Sequence, residues 1–374
     1  LRLPSFSLDG HRRIWPLESS RWRVLIPPQG GTPADQHHNR HVTRVDTFCT
    51  ARMPMTVLIG IDEAGYGPNL GPLVISATAW QIPDADHETD LYTLLHRAVT
   101  DRPRSATASC VCIADSKQVY KPRGGLAALE YGVLSAMRLF EPAPETWQTL
   151  WETLAGQRGA HRQPLPWYED FSIPIPVDAK EDRIASLTRS IENDLRENRA
   201  SLMMIRSVAV YPDEFNRLTQ QFGSKGAALT RLTLELLGDI LDQTGDQRTL
   251  VVCDKHGGRN RYAAALQHNF PDYLIEIHGE GRAQSVYRWG PEDQRVEVRF
   301  QTRGEQFLPA ALASMTSKYL RELAMRAFND FWCSRVPNLT ATAGYPVDAK
   351  RFKAAIAAAQ TELGIDDQLL WRIR

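Results

Sequence analysis

Two apolar runs that stop on carboxylates decide most of what this chain can fold into. Residues 56–62 read TVLIGID and residues 249–254 read TLVVCD, and glycine pairs follow each at once, Gly65 and Gly67 in the first case, Gly257 and Gly258 in the second. Short, apolar, β-branched runs bounded by turn residues predict buried strands. Each run therefore carries an acid to the end of a sheet, where side chains leave the core. PLVISATAW (72–80) and MMIRSVAVY (203–211) predict two more strands, CVCIAD (110–115) another, and further strands are expected near 273–278 and 295–301. The 56–62 and 72–80 runs read as a hairpin with a Gly-rich connection. Apolar spacing predicts helices at 127–139, 226–242, 259–268, 308–331 and 348–362. Strands first and helices later predict a mixed α/β domain with a C-terminal helical section.

The chain's 374 residues are 43% hydrophobic and 24% charged, the composition of a soluble globular protein with a sizeable core. Lys plus Arg equals Asp plus Glu at 44 each, so net charge argues neither for nor against a nucleic-acid partner. Five cysteines without a CxxC pair argue against a disulfide framework and a zinc knuckle. The cysteine usage makes a reducing cytoplasm the expected home; no segment approaches the ~18 apolar residues of a membrane span, so no membrane partner is expected, and a monomer is the working expectation. Residues 1–54 carry Pro-Pro-Gln-Gly-Gly at 27–31 and no sustained period, which predicts a disordered leader or an over-called start. The alternative is a basic arm for nucleic acid, because Arg2, Arg12, Arg13, Arg21 and Arg23 cluster there. Residues 55–374 form the expected catalytic domain. Within it the Pro- and Trp-rich stretch at about 141–200 reads as an insertion or subdomain outside the sheet core, and the aromatics there as a small local core or as base-stacking platforms.

Three groups of residues point to chemistry. Asp62 and Glu63 end the first run, and the glycines after them let the chain bend so that both approach one point. An ordinary solvated turn gives the same residues. Asp254 ends the second run and opens the basic stretch DKHGGRNR (254–261); a helix-capping aspartate is the plain alternative. In SMTSKYLRE, Ser314, Lys318 and Glu322 fall at i, i+4 and i+8 on an otherwise apolar helix, where a buried Lys and Glu need a reason. Carboxylates from separate strands and a helix are what a two-metal phosphodiester site requires, and an all-oxygen set suits Mg²⁺ or Mn²⁺ better than zinc.

Ordered along the chain, these segments resemble ribonuclease HII. GIDEAGYGPNLGPLV (60–74) is similar to the family's opening, ADSKQVYKPR (114–123) to its Asp-Ser-Lys block, and PDEFNRL (212–218) to its central helical region. VVCD supplies the third acid, LASMTSKYLRE matches the helix ending in Lys-x-x-Arg-Asp, and TAGYPVDAKRF (342–352) matches the C-terminal Gly-Tyr segment. The resemblance implies a ribonuclease H-like fold, a central mixed five-stranded sheet flanked by helices. It implies catalytic and metal-binding roles for Asp62, Glu63, Asp254 and Glu322, with two Mg²⁺ or Mn²⁺ ions. Gly65, Tyr66 and Gly67 would meet the ribose, Tyr345 would pack on the adjacent sugar, and Lys117 and Lys318 would touch phosphates. The implied activity is endonucleolytic hydrolysis of RNA in RNA–DNA hybrids, serving primer removal or ribonucleotide excision. Two departures stand out: Tyr66 replaces the family's arginine, and Glu322 its aspartate. Arg259 or Arg261 is expected to replace the lost phosphate contact. A nuclease acting on DNA structures and a non-catalytic nucleic-acid-binding relative remain as alternatives.

Overall fold

The computed structural model describes residues 54–83, 90–121, 124–140, 142–155, 165–169 and 171–373. The expected leader, with Arg2, Arg12, Arg13, Arg21 and Arg23, falls outside them except for Pro54. The strands are β1 (Met55–Ala64), β2 (Leu73–Pro83), β3 (Val99–Thr100), β4 (Val111–Cys112), β5 (Ser201–Val210), β6 (Arg248–Asp254), β7 (Glu276–Glu280), β8 (Gln284–Trp289) and β9 (Val296–Gln301). The helices are α1 (Leu91–Leu94), α2 (Ser116–Val119), α3 (Ala127–Met137), α4 (Trp147–Ala155), α5 (Pro166–Glu169) and α6 (Glu181–Glu197), then α7 (Pro212–Phe222), α8 (Lys225–Thr244), α9 (Ala263–Asn269), α10 (Leu308–Cys333), α11 (Pro346–Glu362) and α12 (Asp367–Leu370).

Seven strands join in the order β5-β2-β1-β6-β9-β8-β7. β1 pairs antiparallel with β2, and β2 with β5, whereas β1, β6 and β9 run parallel. These five strands are the expected mixed sheet. β8 and β7 lengthen it by an antiparallel ribbon inserted before β9, and β8 had no counterpart in the sequence reading. The CVCIAD run is a correction: only Val111 and Cys112 are extended, and they pair with β3 in a separate two-stranded sheet. Helix 259–268 begins four residues late. Gly257 and Gly258 hold positive φ angles of 57° and 80°, and the chain turns through residues 255–262 before α9 can start.

Alternation along β1 divides the interior into two cores. Val57, Ile59 and Ile61 face the leucines of α8 together with Phe300 and Tyr287, while Leu58 faces α3 and α10. α10 presses onto β1 so closely that a Cβ on Gly60 would stand 1.9 Å from the Ala310 nitrogen. Only glycine permits that approach.

The 141–200 stretch is not a separate subdomain where it is described. Trp147, Trp151, Trp167 and Tyr168 are buried in the same core as Phe328 and Trp332 of α10. Trp167 meets the Phe328 ring edge-on at 5.2 Å. Those rings are core, not base-stacking platforms. The buried Glu130 carboxylate pins the stretch, accepting the backbone N–H groups of Val177, Asp178 and Ala179 at 2.5, 2.8 and 2.7 Å and the Tyr319 hydroxyl at 2.9 Å.

Candidate active site

β1 and β6 are neighbouring parallel strands in register, Ile61 beside Cys253. The residues that follow, Asp62 and Asp254, therefore leave the sheet side by side, with Glu63 next to them. Like charges so placed oppose one another's ionisation. Burial, joined by the Asp254 charge, outweighs the Ser314 hydroxyl, the Glu63 N–H and Lys117 and raises the Asp62 pKa to about 7. Glu63 is pushed well above the usual carboxylate range by burial and then by Asp62 and Asp254. Asp254 is also raised by burial, against the N–H groups of Lys255 and Gly304 that its carboxylate accepts.

The Asp254–Gly304 contact brings in an acid that the sequence reading passed over. A Cβ on Gly304 would lie 3.3 Å from the Asp254 nitrogen, so the turn after β9 packs against the end of β6. The next residue is Glu305. Its pKa is raised by burial, then by Asp115 and Asp254. Asp115, the first acid of the Asp-Ser-Lys block, accepts the Lys117 N–H at 3.0 Å. The Lys117 ammonium responds to the same group: burial disfavours its charge, but Asp115, Asp62, Asp254 and Glu305 outweigh it and raise its pKa. The cluster is thus Asp62, Glu63, Asp254, Glu305 and Asp115 around one lysine.

Glu322 is held by a different set of groups. Its carboxylate accepts Lys318 Nζ at 2.5 Å and the Tyr120 hydroxyl at 2.9 Å, and Lys318 also lies 4.6 Å from the Tyr120 ring centre. The residues α10 turns to the sheet are Ser314, Ser317 and Arg321. Ser317 donates to the Asp62 carbonyl at 3.0 Å, and Ser314 bonds Ser116 at 3.1 Å beside the Asp62 carboxylate. At ~100° per residue, eight residues carry Glu322 about 80° round the helix from Ser314, towards Tyr120. The shared face inferred from i, i+4 and i+8 spacing does not extend that far.

The glycine loop after β1 is built for close approach. Gly65 has φ +93°, and a Cβ there would meet Arg321 Nε and the Pro72 carbonyl, each at 2.6 Å. Arg321, 2% exposed, donates to the carbonyls of Ala343 at 3.0 Å and Leu70 at 3.4 Å, tying the loop to the segment that carries Tyr345. The Gly344 carbonyl accepts from Asn69 at 2.8 Å and Leu70 at 3.3 Å. Gly67 consequently lies beside Tyr345, 3.8 Å separating its built Cβ position from Cε1.

Tyr66 turns away from these partners. Its hydroxyl lies 3.0 Å from where a Cβ on Gly257 would be, and Lys225 Nζ stands 5.9 Å from its ring centre. The residues expected to replace the lost arginine are placed otherwise. Arg259 lies 5.8 Å from the Tyr262 ring centre, and Arg261 approaches Glu280 at 3.8 Å. Lys255 is fully engaged, its Nζ donating to Gly281 O, Asn260 Oδ1, Ser285 Oγ and Arg259 O at 2.6 to 3.3 Å. His256 is buried between Thr230 and Thr233, and burial, then Arg259, lowers its pKa to about 3, so it is a neutral core residue.

Among the described residues no three His, Cys, Asp or Glu side chains converge tightly enough to enclose a metal ion as they stand. The donor chemistry still fits one. The cluster offers hard carboxylate oxygens, and burial plus mutual repulsion raises their pKa values, a penalty that a divalent cation relieves.

No family model matches the sequence, and neither does any curated protein. Among solved structures, the chain is similar to ribonuclease HII of Archaeoglobus fulgidus, solved in complex with PCNA, at 13% identity and a TM-score of 0.36, over 85% of this chain and 94% of that one. Ribonuclease H2 from Pyrococcus horikoshii gives 12% identity and a TM-score of 0.39, over 84% and 92%. Ribonuclease H3 of Aquifex aeolicus gives 14% and 0.37, over 84% of this chain and 71% of that one.

Proposed function

We propose that the chain is a metal-dependent nuclease that hydrolyses the RNA strand of RNA–DNA hybrids. The observation that carries the reading is the gathering of Asp62, Glu63, Asp254 and Glu305 at the ends of adjacent strands, where their negative charges oppose one another. Such a set has little structural use, and without a cation it would repel phosphate. Asp62, Glu63, Asp254 and Glu305 would hold Mg²⁺ or Mn²⁺, with Glu305 in the place first given to Glu322. When bound, such ions supply Lewis acidity and charge neutralisation at the scissile phosphate.

The remaining roles belong to the chain's own groups. Gly65 and Gly67 expose backbone to the ribose, where the 2′-hydroxyl separates RNA from DNA. Tyr345, 54% exposed beside Gly67, packs on the neighbouring sugar. Lys117 and Lys318 contact flanking phosphates, with Glu322 and Tyr120 holding Lys318 in place. Water adds to the phosphorus and the 3′ oxygen leaves with a proton, giving 5′-phosphate and 3′-hydroxyl ends. Lys225 stands 5.9 Å from the Tyr66 ring centre and offers a cation near the position of the family's arginine.

The test is cleavage of labelled duplexes with Mg²⁺ or Mn²⁺: an RNA–DNA hybrid, a duplex with one ribonucleotide, and all-DNA. Asp254→Asn and Glu305→Gln should each lower kcat by about 10²-fold or more, and Glu322→Gln far less. Cutting of all-DNA alone would transfer the protein to the DNA reading, and loss of activity only in Glu322→Gln would return that residue to the metal set.

A further inference from the structure

At the opposite end of β6 from Asp254 lies a second, separate collection of charge. Arg248 opens the strand and Asp254 closes it, six residues or about 20 Å apart at the rise of a β-strand. Around Arg248 a cavity of about 330 Å³ is lined by Arg288 of β8, Arg295 and Arg299 at and along β9, and the carboxylates of Glu292 and Glu297. Four guanidinium groups against two lining carboxylates, with Glu276 reaching Arg295 from outside the lining, leave a net positive charge facing one small space.

The arrangement is more than a solvated ion-pair lattice. One carboxylate, Glu297, orients two guanidinium groups at once, accepting Arg288 Nε at 2.5 Å and also Arg299 Nε. Arg295 touches Glu276 only at 3.5 Å, and its Nε is buried without a hydrogen-bond partner. Arg248 enters no ion pair among the described residues. Guanidinium forks held in fixed orientations with donors to spare match the terminal oxygens of a phosphate. The lining contains no aromatic ring on which a base could stack.

We propose that this cavity binds a phosphate oxyanion, at a site distinct from the carboxylate cluster, with Arg248 and Arg295 as its principal donors. The phosphate is either free in solution or a phosphodiester of a bound nucleic acid. Because the site stands on its own residues, it holds whether or not the nuclease reading does.

The full chain is melted in inorganic phosphate and in chloride at matched ionic strength, beside Arg248→Gln, Arg248→Gln/Arg295→Gln and Asp254→Asn. Wild type and Asp254→Asn should gain Tm in phosphate, and each arginine removed should weaken phosphate binding about tenfold. The chloride Tm reports folding, and the single Arg248 variant keeps the test readable if the double one is unstable. A second arm titrates an all-DNA duplex against salt. A slope shallower by about 2 in the double variant identifies a phosphodiester as the source, and an unchanged slope identifies free phosphate. Equal Tm in phosphate and chloride for wild type, or a phosphate gain undiminished in the arginine variants, overturns the proposal.

Discussion

Asn at position 62 should make the folded chain more stable at neutral pH while abolishing the cation response of the site. Asp62 has a folded pKa of about 7 against 3.8 in the unfolded chain. Below pH 3.8 both states hold the proton. Between 3.8 and about 7 the folded state keeps a proton that the unfolded state has released, so stability falls as pH rises through that window and the whole penalty is present above it. At about 1.4 kcal/mol per pH unit the displacement corresponds to a ceiling of about 4 kcal/mol, of which about 2–3 kcal/mol accrues between pH 5 and pH 8. His256 acts in the opposite sense: its folded pKa of about 3 makes its contribution fall away as pH drops below 6.5. Comparing Asp62→Asn with wild type cancels the histidine, because it is common to both. The assay is urea unfolding of the two proteins at pH 5 and pH 8 in EDTA, then at pH 8 with Mg²⁺ or Mn²⁺. The variant's advantage should widen from pH 5 to pH 8, and the cation should stabilise wild type but not the variant. A difference that stays constant with pH, or a variant less stable than wild type at pH 8, would refute the placement of Asp62 in a crowded, poorly solvated acid cluster.

Gly65→Ala should destabilise on the order of 1–3 kcal/mol from its left-handed backbone alone, plus the displacement of Arg321, and denaturant unfolding reads the loss. Lys255→Met leaves the Gly281 and Arg259 carbonyls without their shared donor and should cost about 2–3 kcal/mol, and hydrogen exchange should rise across residues 255–262. The His256 imidazole should show no titration by NMR between pH 5 and pH 8; a midpoint near 6.5 would place it in water.

Asp62, Glu63 and Asp254 were legible because strand identity is written in local composition and the acids are the strands' last words. The parallel pairing that sets Asp62 beside Asp254 is a matter of long-range register, which local composition does not carry. Glu305 was hidden because it lies in a one-turn helix of three residues, Gly304–Gln306, with no period to read. A signal existed all the same: VRFQTRGE is a third strand run leading to a glycine and an acid, and it was read only as a strand. Glu322 meets Lys318 and Tyr120 for a geometric reason. Helical arithmetic in steps of four drifts about 40° each time, and two steps turn a shared face into neighbouring ones. β8 escaped because it alternates apolar and polar residues one strand in from the sheet edge, where burial leaves a weaker imprint than in β1 or β6.

The seat of α10 on β1 also fixes when the site can exist. The Ser317 hydroxyl that holds the Asp62 carbonyl lies 255 residues further along the chain, and Gly60 meets Ala310 across a similar span. At about 5–20 residues per second of synthesis, the strand bearing Asp62 waits more than about ten seconds for the helix that orders it. β6 and the turn carrying Glu305 also come late, because Asp254 and Glu305 follow Asp62 by 192 and 243 residues. A nascent chain therefore exposes acids but no assembled cluster, and completion of the sheet, seating of the helix and onset of any chemistry at Asp62 coincide once α10 has been synthesised.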